Sequence, residues 1–306
     1  MDTSTHKIVV GVAGRADSEA AVRYAVDESR RRRLPVHLVH VLHPFLSGAN
    51  ADAIAVTRQP VLQDAQRMLA EVAEDVRHEL GDEPAVSTQL IVGHPAPALV
   101  EASSGGAEIV LQPERMGADR RHVPTYSVTS AVIVRSRLPV VAVPAAWRAL
   151  DRTAGVVTVG VDDVGTTANL LQAAFEEAQA RGATLRVVHT WRYSDAYDDV
   201  VFSGERKAAH SAELARRVRA DLEPLTAKFT GVALDVSVQH GRPADALVEA
   251  SRRSDLVVVG RHRTGHRVAT HHLGSVVRAV VRESRSAVLV VDPVDAAWVA
   301  EDARPT

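Results

Sequence analysis

The chain of 306 residues contains one unit twice. The segment GHPAPALVEAS, which begins at Gly93, recurs as GRPADALVEAS from Gly241. Upstream of it VGVAG aligns with VGVDD, and downstream of it IVLQ aligns with VVVG without a gap. Because self-similarity at a long fixed period marks a duplicated folding unit, a fold assigned to one half must also suit the other. We place the units at residues 1–146 and 153–295.

Each unit alternates short β-branched runs with amphipathic stretches, which is typical of alternating strands and helices. The predicted strands are 7–12, 36–41, 85–92, 107–111 and 140–143, then 156–161, 184–189, 233–239, 255–259 and 287–291. In the first unit helices are predicted at 18–32, 60–80, 95–103 and 128–136. Such alternation implies right-handed crossovers. The sequence therefore predicts an α/β chain with two tandem five-stranded parallel sheets.

Composition excludes several functional classes. The net charge of −2 provides no positive field for general nucleic-acid binding. The absence of cysteine excludes disulfides, thiol nucleophiles and zinc sites built on thiolates. Because no apolar run reaches the length of a membrane span and the N-terminus carries no signal-peptide pattern, we expect a cytoplasmic protein.

Residues 256–276, LVVVGRHRTGHRVATHHLGSV, form the pattern with the clearest chemical meaning. An apolar strand ends at Gly260, a basic segment with Gly265 follows, and Gly274 and Ser275 open a helix. Free N–H groups and the positive end of the dipole at a helix start attract anions. Glycines let the backbone approach the bound group closely. This stretch therefore predicts a phosphate site.

Several motifs together resemble the universal stress protein family: GVDD after the first strand, VVH in the second, then GRPADALVEAS, VVVGR and GSV. The tandem arrangement resembles the two-domain members common in actinobacteria. The resemblance implies a Rossmann-like fold of the adenine-nucleotide α-hydrolase-like type, with ATP bound in many members. It covers nearly the whole chain.

The family's ATP-binding pattern is Gly, two residues, Gly, nine residues, Gly, then Ser or Thr. The resemblance assigns Gly260 to the first glycine and Gly274 to the last, whereas Arg263 occupies the middle position in a loop one residue longer. It also assigns Asp162 to the adenosine part of the ligand and the backbone of Val188 to adenine. The resulting candidate set is Val161, Asp162, Val188, Gly260, Arg261, Arg263, Gly265, Gly274, Ser275 and Val276.

The first unit departs from this pattern. Ala13 replaces Asp162, Gln112 replaces Gly260 and Tyr126 replaces Gly274, so that Ser127 is what remains of the Gly-Ser pair. A tyrosine ring would occupy space where phosphate approaches the backbone. We therefore predict a degenerate nucleotide site in the first unit and a functional site in the second.

Other candidate groups have simpler interpretations. Asp162 could bind a ribose hydroxyl, hold Mg²⁺ beside phosphates or cap a helix, and these alternatives stay open. Strand-end His40 and His189 are expected to hydrogen-bond to neighbouring backbone. Solvated loop residues are a better interpretation than a metal site for four histidines: His262, His266, His271 and His272.

The sequence is consistent with two alternative functions. The first is a non-enzymatic, ATP-binding regulatory module of the stress response, because no residue is convincing as a general base for water. The alternative is a structural or protein-interaction protein without nucleotide. Because the fifth strand of each unit is an exposed edge, we also predict that the two halves pair with each other like a dimer. We further expect that two chains can associate as a homodimer and that the protein has partner proteins whose identity is unknown.

Overall fold

The structure is a computed structural model that describes residues 6–43, 51–114, 127–148, 155–162, 167–193, 204–261 and 273–292, with side chains of 51–58 left undescribed. The chain divides into two compact units, Met1–Ala149 (unit 1) and Leu150–Thr306 (unit 2). Each unit is an α/β layer structure of its own.

Unit 1 contains a parallel sheet in which strands and helices alternate. Its described elements are β1 (Ile8–Gly11), α1 (Glu19–Arg32), β2 (Val36–Leu42), α2 (Ala51–Leu80), β3 (Val86–Val92), α3 (Pro95–Ala102), β4 (Glu108–Leu111), α4 (Val128–Arg135) and β5 (Val140–Ala142). The strand order is β3-β2-β1-β4-β5, and every pairing among them is parallel. The strand order therefore reverses beside β1.

Unit 2 repeats this plan. Its described elements are β6 (Val156–Val161), α5 (Ala168–Arg181), β7 (Thr184–Trp191), α6 (Gly204–Asp221), α7 (Glu223–Lys228), β8 (Leu234–His240), α8 (Pro243–Ser251), β9 (Leu256–Gly260), α9 (Ser275–Glu283) and β10 (Ala287–Val291). Its strand order, β10-β9-β6-β7-β8, is also wholly parallel. The predicted α/β fold with two tandem parallel sheets is confirmed.

The second helix begins earlier than the sequence predicted. The predicted helix over 60–80 begins instead at Ala51, so Pro60 lies inside it. A proline is harmless in the first turn of a helix, because its missing N–H has no acceptor there, but inside a helix it removes a hydrogen bond. The preceding segment ADAIAVTRQ contains three alanines, the strongest helix formers, and the helix extends through them despite the lost hydrogen bond.

The sheets are buried by branched residues of the strands and by the helices that pack on them. In unit 2, Phe175 of α5 stacks on Phe229 with ring centroids 5.3 Å apart. In unit 1, Trp147 packs edge-on against Tyr24 of α1 at 5.4 Å, and both side chains are buried. Trp147 thus fixes the chain segment that follows β5 to the core of its own unit.

A strand glycine lets a helix approach each sheet closely. A Cβ on Gly11 would lie 2.4 Å from Leu111 Cδ2 and 3.4 Å from Leu99 Cδ2. At the equivalent position of unit 2, a Cβ on Gly160 would lie 2.7 Å from Leu247 Cδ1. Leu99 and Leu247 are the same leucine of the repeated PALVEAS and DALVEAS segments. The duplication therefore preserved a packing contact as well as a sequence.

We expect Gly11→Ala to lower the free energy of unfolding by about 1–3 kcal/mol, because the added methyl group overpacks a buried site. Gly93→Ala is the matched control, since a Cβ there meets nothing within 4 Å. Urea unfolding followed by circular dichroism measures both variants. Equal stability of the two variants would contradict the packing account.

His37 gives unit 1 a predicted pH dependence. Its Nδ1 lies 2.8 Å from Ser87 Oγ and its Nε2 lies 3.1 Å from Gln89 Oε1, both on β3. Burial lowers the pKa of His37, the nearby charge of Lys7 lowers this pKa further, and the Gln89 hydrogen bond opposes them. Because the folded pKa is the lower one, the unfolded chain takes up the proton first as pH falls.

The contribution of His37 to stability is therefore complete above about pH 6.5, the ordinary pKa of histidine, and decreases as pH falls from there to the folded pKa. We expect His37→Gln to show a smaller loss of unfolding free energy between pH 7.5 and pH 5.5 than the native chain. The exposed His78→Gln is the control variant. An unchanged pH dependence in His37→Gln would exclude this role.

Candidate functional site

A cavity of about 430 Å³ lies in unit 2 at the carboxyl ends of β6, β7 and β9. Here β6 separates β9 from β7, so the chain connections leave the central strands in opposite directions. Open parallel sheets bind their ligands at such a reversal of strand order. The topology therefore places the cavity where ligand binding is expected.

Eight of the predicted site residues line this cavity: Val161, Asp162, Val188, Gly260, Arg261, Gly274, Ser275 and Val276. The other two, Arg263 and Gly265, lie outside the described residues, as do the four loop histidines. Further lining residues were not predicted: Gly160, Thr167, Leu170, Thr190, Pro243, Leu247, Val259 and Val277. Thr190 could have been found from Val188, because residues two apart on a strand share a face.

One part of the cavity wall is apolar. Val161 is 6% exposed, Val188 is 3% exposed and Leu247 is 4% exposed. Leu247 comes from α8 and packs directly against Gly160, which has no side chain to displace it. Such a surface favours a flat or apolar part of a ligand, because binding removes apolar area from water.

Another part of the cavity wall is formed by a helix start. Gly274 is the N-cap of α9, and its carbonyl accepts the first-turn hydrogen bond from Arg278 N at 2.9 Å. The N–H groups that follow have no intrahelical acceptor. They and the helix dipole attract an anion to the space beside Ser275, the exposed first residue of α9.

Two further helices begin at the same cavity. Thr167, the buried N-cap of α5, and Pro243, the first residue of α8, both line it. Arg261 also lines it and is 8% exposed, while its backbone N–H donates to the carbonyl of Val291 at 2.7 Å. A cavity lined by apolar side chains, helix starts and an arginine suits a ligand with a ring at one end and an anionic group at the other.

The strand-end histidines have the backbone partners expected from the sequence. His189 Nδ1 lies 3.1 Å from the carbonyl oxygen of Val161, and His40 Nδ1 lies 2.6 Å from that of Val12. Each contact ties the end of one central strand to its neighbour. Among the described residues there is no group of three or more acidic, histidine or cysteine side chains that could hold a metal ion.

The corresponding place in unit 1 is occupied by protein groups. Gln112 Oε1 accepts a hydrogen bond of 2.9 Å from the backbone N–H of Ala20 in α1. Ser18 Oγ accepts one of 2.8 Å from Ala13 N, and Ser127 Oγ accepts one of 3.1 Å from Ser130 N. Ser127, the remnant of the Gly-Ser pair, therefore caps α4, whereas Tyr126 lies outside the described residues.

In the described part of the chain, no helix combines the length and apolar character that a bilayer crossing requires.

Comparison with known proteins identifies the fold's relatives. The model of the universal stress protein family matches residues 4–144 and again residues 154–292. A universal stress protein of Mycobacterium tuberculosis is 28% identical over 298 residues, which cover 93% of this chain and 96% of the relative. One of Mycolicibacterium smegmatis is 29% identical over 292 residues, which cover 94% and 97%.

A crystal structure of a universal stress protein from Archaeoglobus fulgidus has the same fold, with a TM-score of 0.71 and 18% identity. The match covers 95% of this chain and 97% of that one. At this identity the similarity bears on the fold alone. Because the family model matches both halves in turn, this chain belongs to the universal stress protein family, as a tandem member with two copies of the domain.

Proposed function

We propose that unit 2 binds an adenine nucleotide, ATP, in its cavity and that the protein acts as a regulatory binding module of the stress response. The observation that carries the proposal is one cavity with an apolar wall and a Gly-Ser helix start. Its volume of about 430 Å³ falls within the range of small-molecule sites. Eight residues chosen from sequence alone line it.

The two walls suggest an orientation for the nucleotide. Adenine lies against Val161 and Val188, with backbone groups of β7 reading its edge. Asp162, exposed at the end of β6, accepts a hydrogen bond from a ribose hydroxyl. The apolar wall thereby receives the base, and the polar rim receives the sugar.

The phosphates lie at the start of α9 in this proposal. Gly260 and Gly274 leave the main chain accessible, and N–H groups near Ser275 and Val276 donate to phosphate oxygens. Arg261 supplies positive charge from the end of β9. The loop residues Arg263 and Gly265 complete the proposed set, and Mg²⁺ would accompany the phosphates.

We propose binding without catalysis. Among the described residues that line the cavity, Asp162 is the one carboxylate, and it is assigned to the ribose. Hydrolysis would need a base positioned against water near the phosphates. The described lining offers aliphatic side chains, glycines and hydroxyls there instead. Occupancy, rather than turnover, would then change how the protein engages its partners.

The competing function is a protein-interaction module that binds no nucleotide. The observation that favours it is confined to unit 1, where Gln112 and Ser18 satisfy the backbone donors at the strand and helix ends. If unit 2 behaved in the same way, the purified protein would carry no nucleotide. Thermal shift with adenine compounds separates the two functions.

We expect calorimetry with ATP and Mg²⁺ to detect one binding site per chain. We expect the Gly274→Tyr variant to lose this ATP binding. The tyrosine copies the residue found in unit 1, and its ring would fill the space beside the first turn of α9. Gly93→Ala, at an uncrowded glycine of unit 1, is the control and should bind ATP like the native chain. No binding by the correctly folded native protein would refute the proposed function.

A further inference from the structure

The two units can be compared residue by residue at their central strands. In unit 1, Val9 of β1 pairs with Ile109 of β4, and in unit 2 Thr158 of β6 pairs with Val257 of β9. Gln112 follows Ile109 by three residues, and Gly260 follows Val257 by three. Gln112 and Gly260 therefore stand at the same point of the fold.

The helices that face these two positions also start alike. Ser18, the N-cap of α1, has φ −132° and ψ 0°, and Thr167, the N-cap of α5, has φ −125° and ψ 29°. The second helical residue is Ala20 in unit 1 and Asn169 in unit 2. The backbone N–H of Asn169 thus corresponds to the one that Gln112 contacts in unit 1.

In unit 1 a side-chain carbonyl occupies the space between the central strand end and the helix start. Gln112 Oε1 lies 2.9 Å from Ala20 N, across 92 positions of sequence, and Ala20 is 4% exposed. A first-turn N–H has no acceptor within its own helix. The glutamine supplies an acceptor from outside.

Unit 2 lacks that side chain and has a cavity in its place. Gly260 and Thr167 both line the cavity, so the space joins the end of β9 to the start of α5. The preceding residue is also smaller, since Val259 stands where unit 1 has Leu111. Asn169 is partly exposed, whereas its counterpart Ala20 is buried.

We propose that the ligand of unit 2 places an anionic oxygen where Gln112 Oε1 lies in unit 1, accepting a hydrogen bond from the backbone N–H of Asn169. The start of α5 is then a second anion contact, separate from the start of α9. Gln112 is the built-in substitute for this ligand oxygen. This inference rests on the proposed nucleotide function and specifies which helix holds part of the phosphate chain.

A charged oxygen suits this position better than a neutral one. The N–H lies at the positive end of the dipole of α5, a helix of 14 residues. Hydrogen bonds to an ionised acceptor are roughly twice as strong as neutral ones. Arg261 follows Gly260 directly and lines the same cavity. A phosphate oxygen carries the negative charge that both the dipole of α5 and Arg261 favour.

The test is Gly260→Gln, which moves the unit 1 side chain into unit 2, with Gly260→Ala as the matched control. We expect Gly260→Gln to raise the Kd for ATP by roughly 100-fold or more, because it supplies the acceptor and fills the space, and Gly260→Ala to raise it by less than about tenfold. Calorimetry with ATP and Mg²⁺ measures both, and circular dichroism establishes that both variants fold.

A second measurement uses the unchanged protein. In ¹H–¹⁵N spectra, saturation with ATP should shift the Asn169 amide resonance downfield, and adenosine, which has no phosphate, should not. If the native chain binds ATP but this resonance stays in place, or Gly260→Gln binds as well as Gly260→Ala, the inference is wrong. If the native chain binds no adenine nucleotide, the proposed function itself fails, and this contact with it.

Discussion

Each unit depends on which group occupies the crevice at the carboxyl ends of its two central parallel strands. Helix starts surround the carboxyl ends of these strands, and their N–H groups require acceptors. In unit 1 the chain supplies an acceptor itself, through Gln112 on Ala20. In unit 2 the equivalent residue is Gly260, and a cavity lies there. One position at the end of one strand thus differs between the units: a glutamine bonded to α1 in unit 1 and a glycine that lines a cavity in unit 2.

The fold around this crevice is conserved between the halves, while the crevice itself has diverged. Both units retain the strand glycine against which a helix leucine packs, Gly11 with Leu99 of α3 and Gly160 with Leu247 of α8. Both retain a strand-end histidine bonded to a neighbouring carbonyl. These contacts stabilise the unit whether or not a ligand binds. The residues that differ are the ones that would meet a phosphate.

Much of this arrangement could be predicted from the sequence because it depends on local pattern. Branched runs predicted the strands, and the repeat placed the Gly-Ser helix start and Asp162 at one sheet edge. Prediction was poorer where tertiary contacts decide. The second helix was predicted over 60–80, but it begins at Ala51. Thr167 and Leu170 line the cavity from the start of α5. The sequence does not specify which face of that helix is turned towards the cavity.

The role of Gln112 illustrates the same limit. Its replacement of glycine was visible in the alignment of the halves, and it indicated a degenerate site. The hydrogen bond to Ala20 joins residues 92 positions apart, so no local pattern could indicate it. The structure shows that the side chain of Gln112 satisfies a backbone donor that would otherwise be available to a ligand.

The most direct test of this account is a crystal structure of the protein grown with ATP and Mg²⁺. We predict nucleotide density in unit 2, with the base beside Val161 and Val188 and phosphates between Gly260 and Gly274. Unit 1 should contain no nucleotide, with Gln112 still bonded to Ala20. Nucleotide in unit 1, or a ligand-free unit 2 with Arg261 filling its cavity, would contradict it.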